Sequence, residues 1–229
     1  MNAKITWLGH ATFLVDTGDH RVLVDPFLDD NPSATVKAAD VECDHILVTH
    51  GHFDHIADCV PIATRTGATV VANFEICEWL KKQGVSEDKV SPLNVGGRAS
   101  FAFGRMGATI AHHGSGLPDG SYGGVASGFV MRLGTARVYF AGDTSLFLDM
   151  KLIGVRPLEL AVLPIGDRFT MGPVDAIEAV KLLSPHRVVP CHYNTWQPIE
   201  QDPHDWAGKV TQQTGAYPVV LDPGGSLEL

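Results

Sequence analysis

Three short runs open the chain, KITWLG, TFLVDT and RVLVDP, each rich in β-branched and other apolar residues and cut off by Gly-Asp or Pro signals. They predict adjacent strands joined by turns. HILVTH is apolar almost throughout and predicts a buried strand. IADCVPIATRTG then predicts a helix, ATVVAN a strand, and FEICEWLKKQG, with apolar residues at helical spacing, a helix that stops at Gly84. A second strand-rich stretch runs through RASFAFG, ATIAHH, GFVMRLG and ARVYFAGDT. It is followed by LELAVLPIG, the helix VDAIEAVKLL, the strand RVVPCH, the helix HDWAGKVTQQTG and a closing strand PVVLD. Strands followed by α/β alternation therefore occur twice, and no Pro- or Ser-rich linker divides the two halves. The expected class is α/β (α+β), with residues 1–229 as one domain. Its two sheets would stack face to face with helices outside, a four-layer αββα sandwich. The Gly-rich segment Gly114–Gly128 reads equally as a mobile loop over a site and as a plain surface loop.

Composition narrows the class without naming a chemistry. The chain has 229 residues, 45% hydrophobic and 19% charged, as expected of a soluble globular protein with a sizeable core. No apolar run reaches the roughly 20 residues of a membrane span, and the start MNAKITWLGH lacks a secretory pattern, so a cytoplasmic protein is expected. Cys43, Cys59, Cys77 and Cys191 show no paired spacing and suit buried reduced thiols. A net charge of -9 disfavours non-specific nucleic-acid binding, although a phosphodiester bond stays within the range of substrates. The expected partner is a small molecule; a homo-oligomer is left open.

The histidines change the picture through their arrangement. Thr49-His50-Gly51-His52-Phe53-Asp54-His55 packs three imidazoles and a carboxylate behind a buried strand, a density that packing rarely requires. This spacing fits neither a strand face nor a helix face. The side chains converge if the strand ends and a helix begins among them, so that His50 and His52 address one metal and Asp54 and His55 its neighbour. His113, Asp143 and His192 each end a predicted strand, where active sites of α/β sheets sit. Adding them gives His50, His52 and His113 at one metal, Asp54, His55 and His192 at the other, and Asp143 bridging. Singly, each reads more simply as a hydrogen-bonded structural residue or a turn cap. Together they read as ligands. Imidazole and carboxylate without thiolate suit two divalent ions, zinc first, with manganese or iron open. His112 competes with His113; the Gly-Ser turn after His113 favours the latter.

The signature HxHxDH, a later His, a bridging Asp and a final His, in that order, resembles the metallo-β-lactamase superfamily over nearly the whole chain. More narrowly, Trp7-Leu8-Gly9-His10-Ala11, Phe169-Thr170-Met171-Gly172-Pro173 and His192-Tyr193-Asn194-Thr195 resemble small uncharacterised metal-dependent hydrolases close to ascorbate-phosphate lactonase. The resemblance supports His113 as the ligand. It implies an αββα sandwich with a dimetal centre at the edge between its sheets, and hydrolase chemistry without a named substrate.

The expected function is hydrolysis of an ester, lactone, amide or phosphoester bond by a hydroxide bridging two ions. Asp54 and Asp143 are the catalytic carboxylates, with Asp54 orienting the water or passing its proton. His10, Arg168 and Asn194 are candidates for substrate contact, while His10 and Asn194 read equally as hydrogen-bond partners of the ligands. Asp25, at the end of RVLVD, is assigned to that supporting role. The alternative is a mononuclear iron dioxygenase on the same fold, of the kind seen in persulfide dioxygenases; the flavodiiron pattern, with Glu in place of His52, does not apply. A non-catalytic metal-binding protein is disfavoured because all seven ligand positions are filled.

Overall fold

The computed structural model describes residues 3–229. Its first half contains β1 (Lys4–Gly9), β2 (Thr12–Asp16), β3 (Arg21–Val24), β4 (His45–Leu47), α1 (Phe53–Ile56), α2 (Cys59–Thr66), β5 (Thr69–Ala72), α3 (Phe74–Lys82) and β6 (Val90–Pro92). The second contains β7 (Arg98–Phe101), β8 (Gly104–Ile110), β9 (Ser127–Leu133), β10 (Ala136–Phe140), α4 (Met150–Ile153), β11 (Leu160–Pro164), α5 (Pro173–Leu183), β12 (Arg187–Cys191), α6 (Pro203–Gln213), β13 (Tyr217–Pro218) and β14 (Ser226–Glu228). Two seven-stranded sheets result, in the orders β14-β1-β2-β3-β4-β5-β6 and β13-β12-β11-β10-β9-β8-β7. Each is antiparallel on one side and parallel on the other: β3 to β6 run parallel in the first, β10 to β13 in the second.

Successive strand residues point to opposite faces, so an all-apolar strand feeds two cores at once. In β3, Val22 and Val24 enter the core between the sheets, whereas Leu23 enters the core beneath the helices; in β5, Val71 goes one way and Val70 and Ala72 the other. The helix-side core joins Leu23, Ile46 and Val70 to Ile62 of α2 and Ile76 of α3. The larger core joins Trp7, Phe13 and Leu47 of the first sheet to Phe129 and Val138 of the second, and continues to Ile177 of α5 and Trp206 of α6. Helix, sheet, sheet, helix is the four-layer sandwich expected from the pattern. Trp206 is fully buried and its Nε1 has no partner, so it acts by packing alone. Trp206→Ala is expected to cost about 3–5 kcal/mol, read as a lower urea midpoint; an unchanged midpoint would remove α6 from the core.

The elements depart from the sequence reading in three ways. The helix expected from Ile56 to Gly67 begins only at Cys59, after α1 has ended at Ile56: the Asp58 amide donates to the Pro26 carbonyl at 3.1 Å instead of continuing α1, and the Asp58 carboxylate accepts the Leu28 and Asp29 amides at 2.6 and 3.2 Å. The closing strand PVVLD shrinks to Tyr217–Pro218; beyond it the chain crosses to the other sheet, where β14 pairs antiparallel with β1, Lys4 opposite Glu228. The strands expected to end in His113, Asp143 and His192 end earlier, at Ile110, Phe140 and Cys191. Leaving the ladder frees those side chains from the fixed up-and-down alternation and lets them aim along the sheet edge.

Candidate metal centre

Every candidate ligand follows the carboxyl end of a strand at one edge of the sandwich. The β4 strand ends at Leu47, His50 and His52 lie in the loop, and Asp54 and His55 open α1 at once. This is the strand-to-loop-to-helix switch the spacing requires. Asp143 follows Gly142, whose φ of 63° and close approach to Thr49, 3.0 Å from an added Cβ, are met by glycine without strain. Asp25 and His192, each one residue past its strand, adopt left-handed backbone at φ 47° and 54°. Non-glycine residues rarely sit there unless the surroundings over-determine them.

Their ligand atoms converge. His50 Nε2 lies 3.0 Å and His113 Nε2 3.2 Å from His52 Nδ1. A tetrahedral ion with 2.0–2.1 Å bonds sets its nitrogens about 3.3 Å apart, so these three fit one ion. His10, Asp54, His55 and His192 form a second group and His50, His55 and Asp143 a third, each with ligand atoms within 4.8 Å of one another. Asp143 reaches across them: Oδ2 is 3.5 Å from His113 Nε2 and 3.1 Å from His192 Nε2, and Oδ1 is 3.3 Å from His55 Nε2. His55 Nε2, Asp143 Oδ1 and His192 Nε2 are buried without a hydrogen-bond partner. Buried polar atoms are normally paired; aimed together, these fit divalent cations.

The supporting groups fix which nitrogen faces inward. Asp25 accepts from His55 Nδ1 at 2.8 Å and from the Thr49 hydroxyl at 2.7 Å. Thr49 Oγ1, having donated to Asp25, accepts from His50 Nδ1 at 3.0 Å. One carboxylate thus presents the Nε2 lone pairs of two candidate ligands, one directly and one through Thr49. Ser115 Oγ accepts the Gly51 amide at 3.1 Å and donates to the Gly123 carbonyl at 2.8 Å. The segment Gly114–Gly128 is accordingly pinned: Leu117 is buried, and Asn73 Nδ2 donates to Gly123 and Val125.

Electrostatics split the imidazoles. Burial pushes His10 down to about 4, and His50 and His113 also fall. Burial opposes charge on His55 and His192 as well, yet Asp143 overrides it, lifting His55 well above its ordinary value and His192 to about 9. Burial would raise Asp54 and Asp143, but the facing imidazoles hold both below the usual carboxylate range. Burial leaves Asp25 raised, against the pull of His55.

Other candidates lie apart. His112 is exposed and stacks flat on Phe147, with centroids 4.8 Å apart, while His113 turns inward. Arg168 is exposed on the loop after β11 with its guanidinium over Phe169, and among the described residues it has no hydrogen bond or ion pair to the cluster. Asn194 is exposed and its Oδ1 accepts the Gln201 amide at 2.7 Å, which ties the loop after β12. Sequence reasoning did not single out Thr49, Ser115 or the hydroxyl of Thr195, which lies 2.8 Å from His10 Nδ1. Isolated hydroxyls carry no spacing signal; only the position of Thr49 directly before the motif pointed to it.

Residues 20–193 match the family described as beta-lactamase superfamily domain. The chain is 46% identical over 226 residues to a UPF0173 metal-dependent hydrolase of Thermus thermophilus, covering 99% of both. It is similar to the structure of Igni18, a metallo hydrolase from the hyperthermophilic archaeon Ignicoccus hospitalis, at 34% identity and a TM-score of 0.90 over 100% of this chain and 99% of that one. A diiron β-hydroxylase from Streptomyces venezuelae shares the fold alone, at 17% identity and a TM-score of 0.75 over 99% of this chain and 54% of that one. From this site and these relatives, the chain belongs to the metallo-β-lactamase superfamily, in its UPF0173 group of metal-dependent hydrolases.

Proposed function

We propose that the chain is a dinuclear hydrolase of small-molecule substrates, cleaving an ester, lactone, amide or phosphoester bond. The observation that carries this reading is the convergence of unpartnered buried atoms on His55, Asp143 and His192 beside the three nitrogens of His50, His52 and His113. In it, His50, His52 and His113 would hold one ion, Asp54, His55 and His192 the other, and Asp143 would contribute to both. Two such ions, zinc first, would supply Lewis acidity toward the scissile group and a hydroxide at neutral pH when bound. The chain's own residues supply the rest. Asp54 is 8% exposed against 3% for Asp143, so it is the carboxylate on the solvent side. From that side it can accept a hydrogen bond from the attacking water and orient it. Residues 1–229 act as one domain in this reading, since the larger core draws on both halves.

Elemental analysis of protein purified without added metal, paired with a screen of lactones, simple esters, phosphomonoesters and phosphodiesters, tests it. Two equivalents of metal with chelator-sensitive turnover of one class is the expected result. Iron at one equivalent, oxygen uptake with a thiol substrate and no hydrolysis would move the chain to the redox branch.

A further inference from the structure

Two sequence motifs far apart in the chain meet behind Asp54. His10 follows Gly9, and the two have φ of 55° and 108°. A Cβ at Gly9 would lie 2.9 Å from the Ser33 carbonyl oxygen, so this turn is closed to other residues. The His10 carbonyl is then clamped, accepting the Trp7 indole N–H at 2.9 Å and the His192 amide at 2.9 Å. Left-handed backbone at a non-glycine residue is unfavourable and persists where the surroundings fix it. What it achieves here is the aim of one ring. His10 is fully buried, with Nε2 3.1 Å from Asp54 Oδ2 and Nδ1 2.8 Å from Thr195 Oγ1. Phe27 and Trp196 close round it edge-on, with centroids 5.7 and 5.0 Å away.

The direction of the two hydrogen bonds follows from the partners. An ionised carboxylate only accepts, so Nε2 carries the hydrogen and donates to Asp54. In the neutral ring Nδ1 then accepts, and the Thr195 hydroxyl donates to it. A histidine kept only to fill the core would need neither the strained backbone nor a buried carboxylate as its partner.

We propose that Thr195 and His10 are positioning residues for Asp54: the hydroxyl fixes the imidazole tautomer, and the Nε2–H occupies one lone pair of Oδ2. The carboxylate is thereby held toward the ion that His55 and His192 also face. The proposal rests on the reading of Asp54 as a ligand.

The test is zinc affinity by chelator competition, with the absorption spectrum of the cobalt-loaded protein as a second readout. His10→Ala is expected to weaken the ion on the Asp54 side about tenfold to a hundredfold and to leave the other ion unchanged. His10→Gln, whose amide N–H can still donate to Asp54, is expected to recover most of that loss. Thr195→Val is expected to move in the same direction by less, and serves if His10→Ala does not fold. Unchanged zinc affinity in His10→Ala and in Thr195→Val would overturn the proposal. So would equal loss in His10→Ala and His10→Gln with an altered cobalt spectrum, since His10 would then be a ligand itself. A parent protein that binds a single ion counts against the dinuclear reading; if Asp54, His55 and His192 hold that ion the His10→Ala loss is read on it, whereas an ion held only by His50, His52 and His113 overturns this proposal as well, because Asp54 is then no ligand.

Discussion

Asp143→Ala is expected to lose both metal ions and to lower turnover about a thousandfold or more, beyond the ten- to hundredfold typical of residues that only support a ligand. Among the described residues Asp143 is the one carboxylate whose oxygens approach both groups, 3.5 Å from His113 and 3.3 Å from His55. Removing it also leaves His55 and His192 buried without the charge that raises their affinity for protons. Breaking a buried pair from one side typically costs about 3–5 kcal/mol, so the metal-free variant should unfold at lower urea while keeping its circular dichroism, because the sheets carry the core. Asp143→Asn, with the same shape and no charge, is expected to lose the metals too and to be destabilised less. Two retained equivalents and parental turnover in Asp143→Ala would remove this residue from the site.

The legible part of the chain was the part where chemistry or periodicity repeats at short range. His50, His52, Asp54 and His55 stand within six positions, and apolar runs such as RVVPCH mark strands without any tertiary knowledge. Asp25 was readable as a supporting group because it ends a strand beside the motif, and the structure has it accept from His55 and Thr49. The illegible part depends on long-range pairing or on backbone sign. The β14 strand is three residues long and its partner is β1, at the other end of the chain. His10, Asp25, His192 and Asn194 take left-handed φ at the site, a conformation that ordinary side chains do not advertise. Thr195 acts only through a ring 185 residues away. Gly114–Gly128 read equally as a mobile loop and as a plain surface loop, because the Ser115 bonds and the burial of Leu117 that anchor it beneath the histidine motif leave no local pattern.

Zinc binding on the Asp54 side is expected to strengthen about a hundredfold per pH unit between pH 7 and 8, which corresponds to two protons displaced per ion. A ligating nitrogen must shed its proton. His192, raised to about 9, and His55, raised well above its ordinary value, both carry one in this range in the metal-free chain. His50 and His113 are lowered, so on their side neither has a proton to lose near neutrality. The two ions should therefore differ: steep pH dependence for one, a shallower one for the other, with about two protons released in calorimetry run across buffers of different ionisation enthalpy. Stability runs the opposite way in the metal-free protein. A histidine whose pKa is raised by folding stabilises the fold fully below its ordinary value near 6.5, and that contribution is lost as pH rises through about 9 for His192. The thermal midpoint with chelator should fall from pH 6.5 to 9, while the upward shift produced by zinc grows over the same interval. If zinc affinity is flat with pH, or if the metal-free midpoint rises across this window, the protons do not sit on His55 and His192, and the charge pairing with Asp143 is not what holds these imidazoles in the absence of metal.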